Sequence, residues 1–189
     1  MSDITETIQE TVEKAGDSQL NARIALLVAI TATVMALCNV KDGNVVQAMT
    51  QAQSRGVDAW SFYQAKSTKQ AIAEDALDQL KAANNPANAE MIRKYEEKIA
   101  RYEKEKAEIK AKAEGYEQEY DAINVFDDQF DMTEAFLTIA MTLFGITALT
   151  QNKRLFVFAC VVSAAGIVLG LAAFLKIPLH SDFISKILG

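Results

Sequence analysis

Three apolar runs interrupt an otherwise heavily charged chain, and their lengths set the architecture. Leu155 to Leu175 carries no charged side chain over twenty-one positions, the length a helix needs to cross the ~30 Å hydrocarbon core of a bilayer. Ile24 to Val40 and Ala135 to Thr150 are equally free of charge and lie at the short end of the spanning range. Between the first two runs, residues 41–133 hold 13 of the 19 Lys and Arg and 18 of the 25 Asp and Glu. Strict apolar–polar alternation of the kind a strand needs is sustained nowhere. The pattern predicts an all-α membrane protein: three transmembrane helices with a long antiparallel helical (coiled-coil) hairpin between the first and second.

The charged segment has its own periodicity. From Val45 through Met49, Ala52, Gly56, Ala59 and Tyr63 to Leu77 and Leu80, apolar or small residues recur at spacings of three and four, interrupted by Lys66 and Gln70. A second row runs from Tyr95 through Tyr102, Ile109, Ala113, Tyr116 and Tyr120 to Ile123, interrupted by Lys106. Spacing of this kind makes a narrow seam between two helices. Asn84-Asn85-Pro86 supplies capping residues and a Pro suited to a first helical turn, so the chain should reverse there. Each arm is then ~60 Å long at 1.5 Å per residue. A reversal near residue 86 sets Gly56 opposite Tyr116 and Ala52 opposite Tyr120, small against large. Glu103, Glu105 and Glu108 come within reach of Lys66.

The predicted organisation is a cytoplasmic tail with a short amphipathic helix (1–22), transmembrane helix 1 (23–40), an extramembrane helical hairpin (41–133), transmembrane helix 2 (134–150), a cytoplasmic turn (151–154), transmembrane helix 3 (155–175) and an interfacial C-terminal tail (176–189). Orientation rests on the short flanks, where Lys and Arg favour the cytoplasm. Lys153 and Arg154 lie in the four-residue connection between the last two spans, and Arg23 abuts the first. With three crossings, the N-terminus is cytoplasmic and the hairpin periplasmic, in a multi-pass protein of the inner membrane. The N-terminus is acidic and the first apolar run lacks a small-residue cleavage site, so the first span reads as an uncleaved anchor.

Ile4, Ile8, Val12 and Ala15 make an acidic amphipathic helix ending at Gly16, suited to docking an unidentified cytoplasmic or envelope protein. Phe183, Ile184, Ile187 and Leu188 make an interfacial one after a Ser181-Asp182 cap. Small residues follow one stripe of the third span, including Ser163, Gly166 and Gly170, a helix-packing pattern that we expect to hold copies together. Ala25, Ala29, Ala32 and Ala36 form a comparable stripe on the first span, and Thr138, Thr142 and Gly145 on the second.

The stretch Trp60-Ser61-Phe62-Tyr63-Gln64-Ala65-Lys66, followed by Lys69, resembles the most recognisable block of a bacterial membrane-protein family catalogued as a domain of unknown function. That family resembles one span, a charged helical segment and two closely spaced spans, so the resemblance implies this architecture over nearly the whole chain. It implies no activity, only that residues 60–69 are distinctive. Trp60, Phe62, Tyr63, Gln64 and Lys66 are therefore the candidate interaction residues. They read first as an aromatic cluster packing against another subunit.

Chemistry changes the picture little. The net charge of −6 disfavours nucleic acid. His180 has no Cys or second His beside it, and neither a zinc site nor a nucleophile with its base can be assembled. No cofactor, metal or catalysis is expected. Cys38 and Cys160 fall at opposite depths of their spans and should not pair. Asp127, Asp128, Asp131 and Glu134 crowd the entry to the second span as an acidic collar, which repeated around an oligomer would attract cations. The reading is a self-assembling, membrane-anchored envelope scaffold or adaptor and homo-oligomer, with the bilayer as its first partner. The alternative is an oligomeric channel or transporter subunit with the collar at its pore mouth.

Overall fold

The structure, a computed structural model, describes the backbone of residues 2–179 and the side chains of residues 19–179. All regular structure among the described residues is helical: α1 (Ser2–Ala82), α2 (Ala89–Thr150) and α3 (Lys153–Phe174). All three are long and apolar enough to cross a membrane.

Each helix break is made by local polar chemistry. After Ala82, Asn84 takes a left-handed backbone (φ 46°), and the Asn85 side chain accepts from the Ala87 amide at 3.0 Å. Pro86 then opens a single 3-10 turn, Pro86–Asn88, ahead of α2. At the second break Gln151 is left-handed (φ 52°), and Asn152 accepts from the amides of Arg154 and Leu155. Helix α3 thus begins at Lys153, taking both cations of the connection into its first turn. The helix expected to stop at Gly16 does not, because α1 runs straight through it. A glycine ends a helix when it turns left-handed, and no glycine among the described residues has positive φ. The C-terminal segment with His180, Ser181, Asp182 and the Phe183 helix lies outside the described residues.

The chain divides into two compact units, one of residues 1–46 with 124–189, the other of residues 47–123. In the first, the apolar parts of α1, α2 and α3 pack as three helices with α2 antiparallel to the others. One end is closed by Ile24, Ala140, Phe144 and Ala159, the other by Cys38, Phe130 and Ala173. Between them Thr31 and Ser163 share a buried hydroxyl hydrogen bond of 2.9 Å. Cys38 and Cys160 join opposite clusters and both are free. Hydroxyls in the apolar helices bond back to carbonyls one turn earlier: Thr133 to Gln129, Thr142 to Thr138, Thr147 to Leu143. Such back-bonding satisfies a hydroxyl where water is scarce.

The small-residue stripe of α3 packs against helices of the same chain. Ser163, Gly166 and Gly170 are buried. A Cβ at Gly166 would meet Leu137 at 2.7 Å, and one at Gly170 would meet Cys38 and Thr133 at 2.9 Å. The stripes on the other spans face mostly outward: Ala25, Ala29 and Ala36 are exposed and Ala32 half-buried, and Thr138, Thr142 and Gly145 are exposed. The buried faces are Ile24, Thr31 and Cys38 on α1, and Thr133, Leu137, Ala140, Phe144 and Thr147 on α2. Small size permits close approach, but larger side chains bury more surface and decide which face turns inward.

The second unit buries a single row of side chains per helix, including Met49, Ala52, Ala73 and Leu77 on α1 and Tyr102 and Ala113 on α2. Contacts join residues closer in number the nearer they lie to the turn: Trp60 with Glu117, Lys66 with Glu105, Lys81 with Glu96. Gly56 faces Tyr116, whose Cβ would be 3.7 Å from a Cβ on the glycine.

Candidate functional site

The aromatic block of α1 is the most elaborated surface of the second unit. Trp60 is half-buried, and its indole Nε1–H donates to Glu117 Oε1 at 2.7 Å. Its ring meets Tyr63 edge-on, with centroids 5.6 Å apart. An indole N–H needs an acceptor, and a carboxylate is a strong one. Beside this pair lies a groove of ≈ 270 Å³, floored by Gly56, walled by Trp60, Tyr116 and Tyr120, and rimmed by Glu117 and Asp121.

The cations that interrupt the seam are held there by aromatic faces. Lys66, half-buried, pairs with Glu105. Its Nζ lies 5.2 Å from the centroid of Tyr102 and 5.7 Å from that of Phe62. Lys106 Nζ lies 5.4 Å from the centroid of Tyr63. A ring quadrupole attracts a cation at such distances, so these lysines extend the seam by their stems and charge. The hydrogen bond from Lys66, then the charges of Lys66, Arg101 and Lys69, hold the Glu105 carboxyl below its ordinary range. Of the three glutamates set within reach of Lys66, only Glu105 pairs with it. Gln64 and Phe62 are exposed, Phe62 at 56%. The block thus divides: Trp60, Tyr63 and Lys66 turn toward α2, while Phe62 and Gln64 face out.

The acidic collar belongs to the first unit. Asp127 and Asp128 are half-buried, Asp131 and Glu134 exposed, and Asp128 accepts from Asn124 at 3.4 Å. Its central member is one that sequence reasoning missed, Asp42 of α1. Burial first, then the negative charges of Asp127, Asp131 and Glu134, push the Asp42 carboxyl up to about 6. Burial likewise raises Asp127, with Asp131 and Asp128 adding to it and its hydrogen bond with Asp42 opposing. Two adjacent carboxyls do not both ionise readily, so the neutral one donates to the charged one. Asp42 Oδ1 is buried without a hydrogen-bond partner. The hint in the sequence was position, since Asp42 stands two residues beyond the first apolar run.

Gln129, one turn before Thr133, is fully buried and saturated. Its amide donates to the carbonyls of Leu169 and Ile177 at 3.0 and 3.4 Å, and its oxygen accepts from the Leu179 amide at 3.1 Å. The side chain ties down the strand of chain that leaves α3.

Residues 20–176 match the family described as a domain of unknown function, DUF4337. No curated protein and no solved structure matches the chain.

Proposed function

Because the chain belongs to the DUF4337 family, whose description assigns no activity, we propose from its own geometry that it is a non-enzymatic, membrane-anchored coiled-coil protein. In this reading it self-assembles as a homo-oligomer and serves as a scaffold or adaptor in the bacterial envelope. The three apolar segments span the inner membrane. Residues 41–133 make an antiparallel hairpin on the periplasmic side, and the N-terminus offers a docking helix to a cytoplasmic partner.

The observation that carries the reading is the narrowness of the seam in the second unit. One row of buried side chains per helix, with Lys66 and Lys106 within it, leaves most of each helix exposed. Helices owe most of their stability to tertiary packing of an apolar face, and an arm packed this thinly gains from further copies. The mass of the detergent-purified protein tests this: a whole-number multiple of the chain is expected, and a monomer overturns the reading. For orientation, a cysteine at Asn85 should react with a membrane-impermeant thiol reagent in spheroplasts, and one at Asn152 should not.

A second reading, an oligomeric channel or transporter subunit, is favoured by the packing of Asp42 into the acidic collar. Cation-selective conductance in planar bilayers, lost on Asp127→Asn, is its test.

A further inference from the structure

Two grooves flank the seam of the second unit, one on each side of the Gly56 and Tyr116 layer, and they differ in charge. The groove over Gly56 has Glu117 and Asp121 on its rim and no cation in its lining. The other is lined by Arg55, Asp58 and Phe62 of α1 and by Ile109, Lys112 and Tyr116 of α2, two cations against one carboxylate. Further along the helices, Lys69 and Arg101 lie near Glu105, with which Arg101 pairs. Among the described residues, Arg55, Lys112 and Asp121 form no ion pair.

The linings differ as well. The hollow of the basic flank is the larger, ≈ 420 Å³, and Phe62 in its lining keeps 56% of its surface exposed. The hollow of the acidic flank, ≈ 270 Å³, has aromatic walls and a glycine floor. An apolar cavity of ~150 Å³ already accepts a benzene ring, so a phenyl side chain has room there.

We propose that the groove over Gly56 is filled by Phe62 of a second copy of this chain, the basic flank of one copy packing on the acidic flank of the next. Arg55 and Lys112 of one copy then face Glu117 and Asp121 of its neighbour. The surfaces joined are different, so the contact is heterologous: each copy uses both flanks, and the series makes a ring where the rotation per copy closes and an open array where it does not. Pairing like flanks would set carboxylates against carboxylates, which complementary potentials avoid. The inference rests on the self-assembly reading and specifies its interface.

The test uses the full chain in nanodiscs, with assembled mass and helicity as readouts. Gln53→Lys with Asp121→Lys reverses the acidic flank and leaves the hydrogen bond between Trp60 and Glu117 in place. Arg55→Glu with Lys112→Glu reverses the basic one. Either pair alone should reduce the assembled fraction at least tenfold at low salt with helicity unchanged, and the two pairs together should restore it. Phe62→Ser should also reduce assembly. If the wild type assembles but single-flank reversals assemble equally well, or the combined reversal does not restore assembly, the interface is elsewhere and self-assembly stands. Unchanged assembly with Phe62→Ser removes the aromatic knob from the contact and overturns the proposal as stated. A monomeric wild type overturns the interface and the self-assembly reading together.

Discussion

Alanine at Gly166 and Gly170 tests whether α3 packs on its own chain. A Cβ at Gly166 would lie 2.7 Å from Leu137 Cδ2, 3.0 Å from Phe136 Cβ and 3.1 Å from Leu137 Cγ; one at Gly170 would lie 2.9 Å from both Cys38 Sγ and Thr133 Cγ2. Relaxed carbon contacts are about 3.5–4.0 Å, so these neighbours must retreat by about half an ångström or more. Little room exists for that. Leu137 and Thr133 are fully buried, and the Thr133 hydroxyl is tied to the Gln129 carbonyl at 2.8 Å. Overpacking of this kind costs about 1–3 kcal/mol per site, offset by about 1 kcal/mol of helix propensity gained on replacing glycine. The double substitution should therefore lose roughly 2 kcal/mol, within a range of about 0–4. Gly145 is the control: a Cβ there meets nothing within 4 Å, so Gly145→Ala should gain up to about 1 kcal/mol. Thermal unfolding in detergent, followed by far-ultraviolet circular dichroism, should separate the two by several degrees. The assembled mass should not change, because the stripe is filled from within. A double variant that melts with or above Gly145→Ala would refute the packing.

Three further outcomes are expected. Gly56→Ala should stabilise by up to about 1 kcal/mol, since its Cβ would make an ordinary 3.7 Å contact with Tyr116; a lower melting temperature would show a tighter seam. The raised Asp42 pKa favours folding fully below its ordinary value of 3.8, and that contribution is lost as pH rises through about 6. Asp42→Asn, neutral throughout, should therefore match the wild type in acid and exceed its stability at neutral pH, and equal unfolding midpoints at both ends would exclude the carboxyl pair. Gln129→Leu removes the acceptor of the Leu179 amide, so that amide should exchange with solvent faster while the amides within α3 keep their protection. Unaltered exchange at Leu179 would mean Gln129 does not hold the segment.

What the sequence by itself determined about this protein is what depends on neighbours a few residues apart. Absence of charge over a span's length marks the three apolar helical segments, and spacings of three and four mark the buried rows from Met49 to Leu77 and through Tyr102 and Ala113. The Asn-Asn-Pro signal locates the reversal, and counting outward from it pairs Gly56 with Tyr116, because helical rise is constant along both arms. What only the tertiary structure decided is which of several equivalent residues meets which partner. Asp42 reaches the collar from 85 residues away in sequence, and its raised pKa is created by the meeting of α1 and α2. Lys66 selects Glu105 over Glu103 and Glu108 through the rotation of α2 about its axis, which sequence spacing leaves free. Three stripes of small residues look alike in the sequence, yet the α3 stripe is closed by Leu137, Thr133 and Cys38 while those of α1 and α2 face mostly outward. A small residue permits close approach, and only the placement of larger neighbours determines where it occurs.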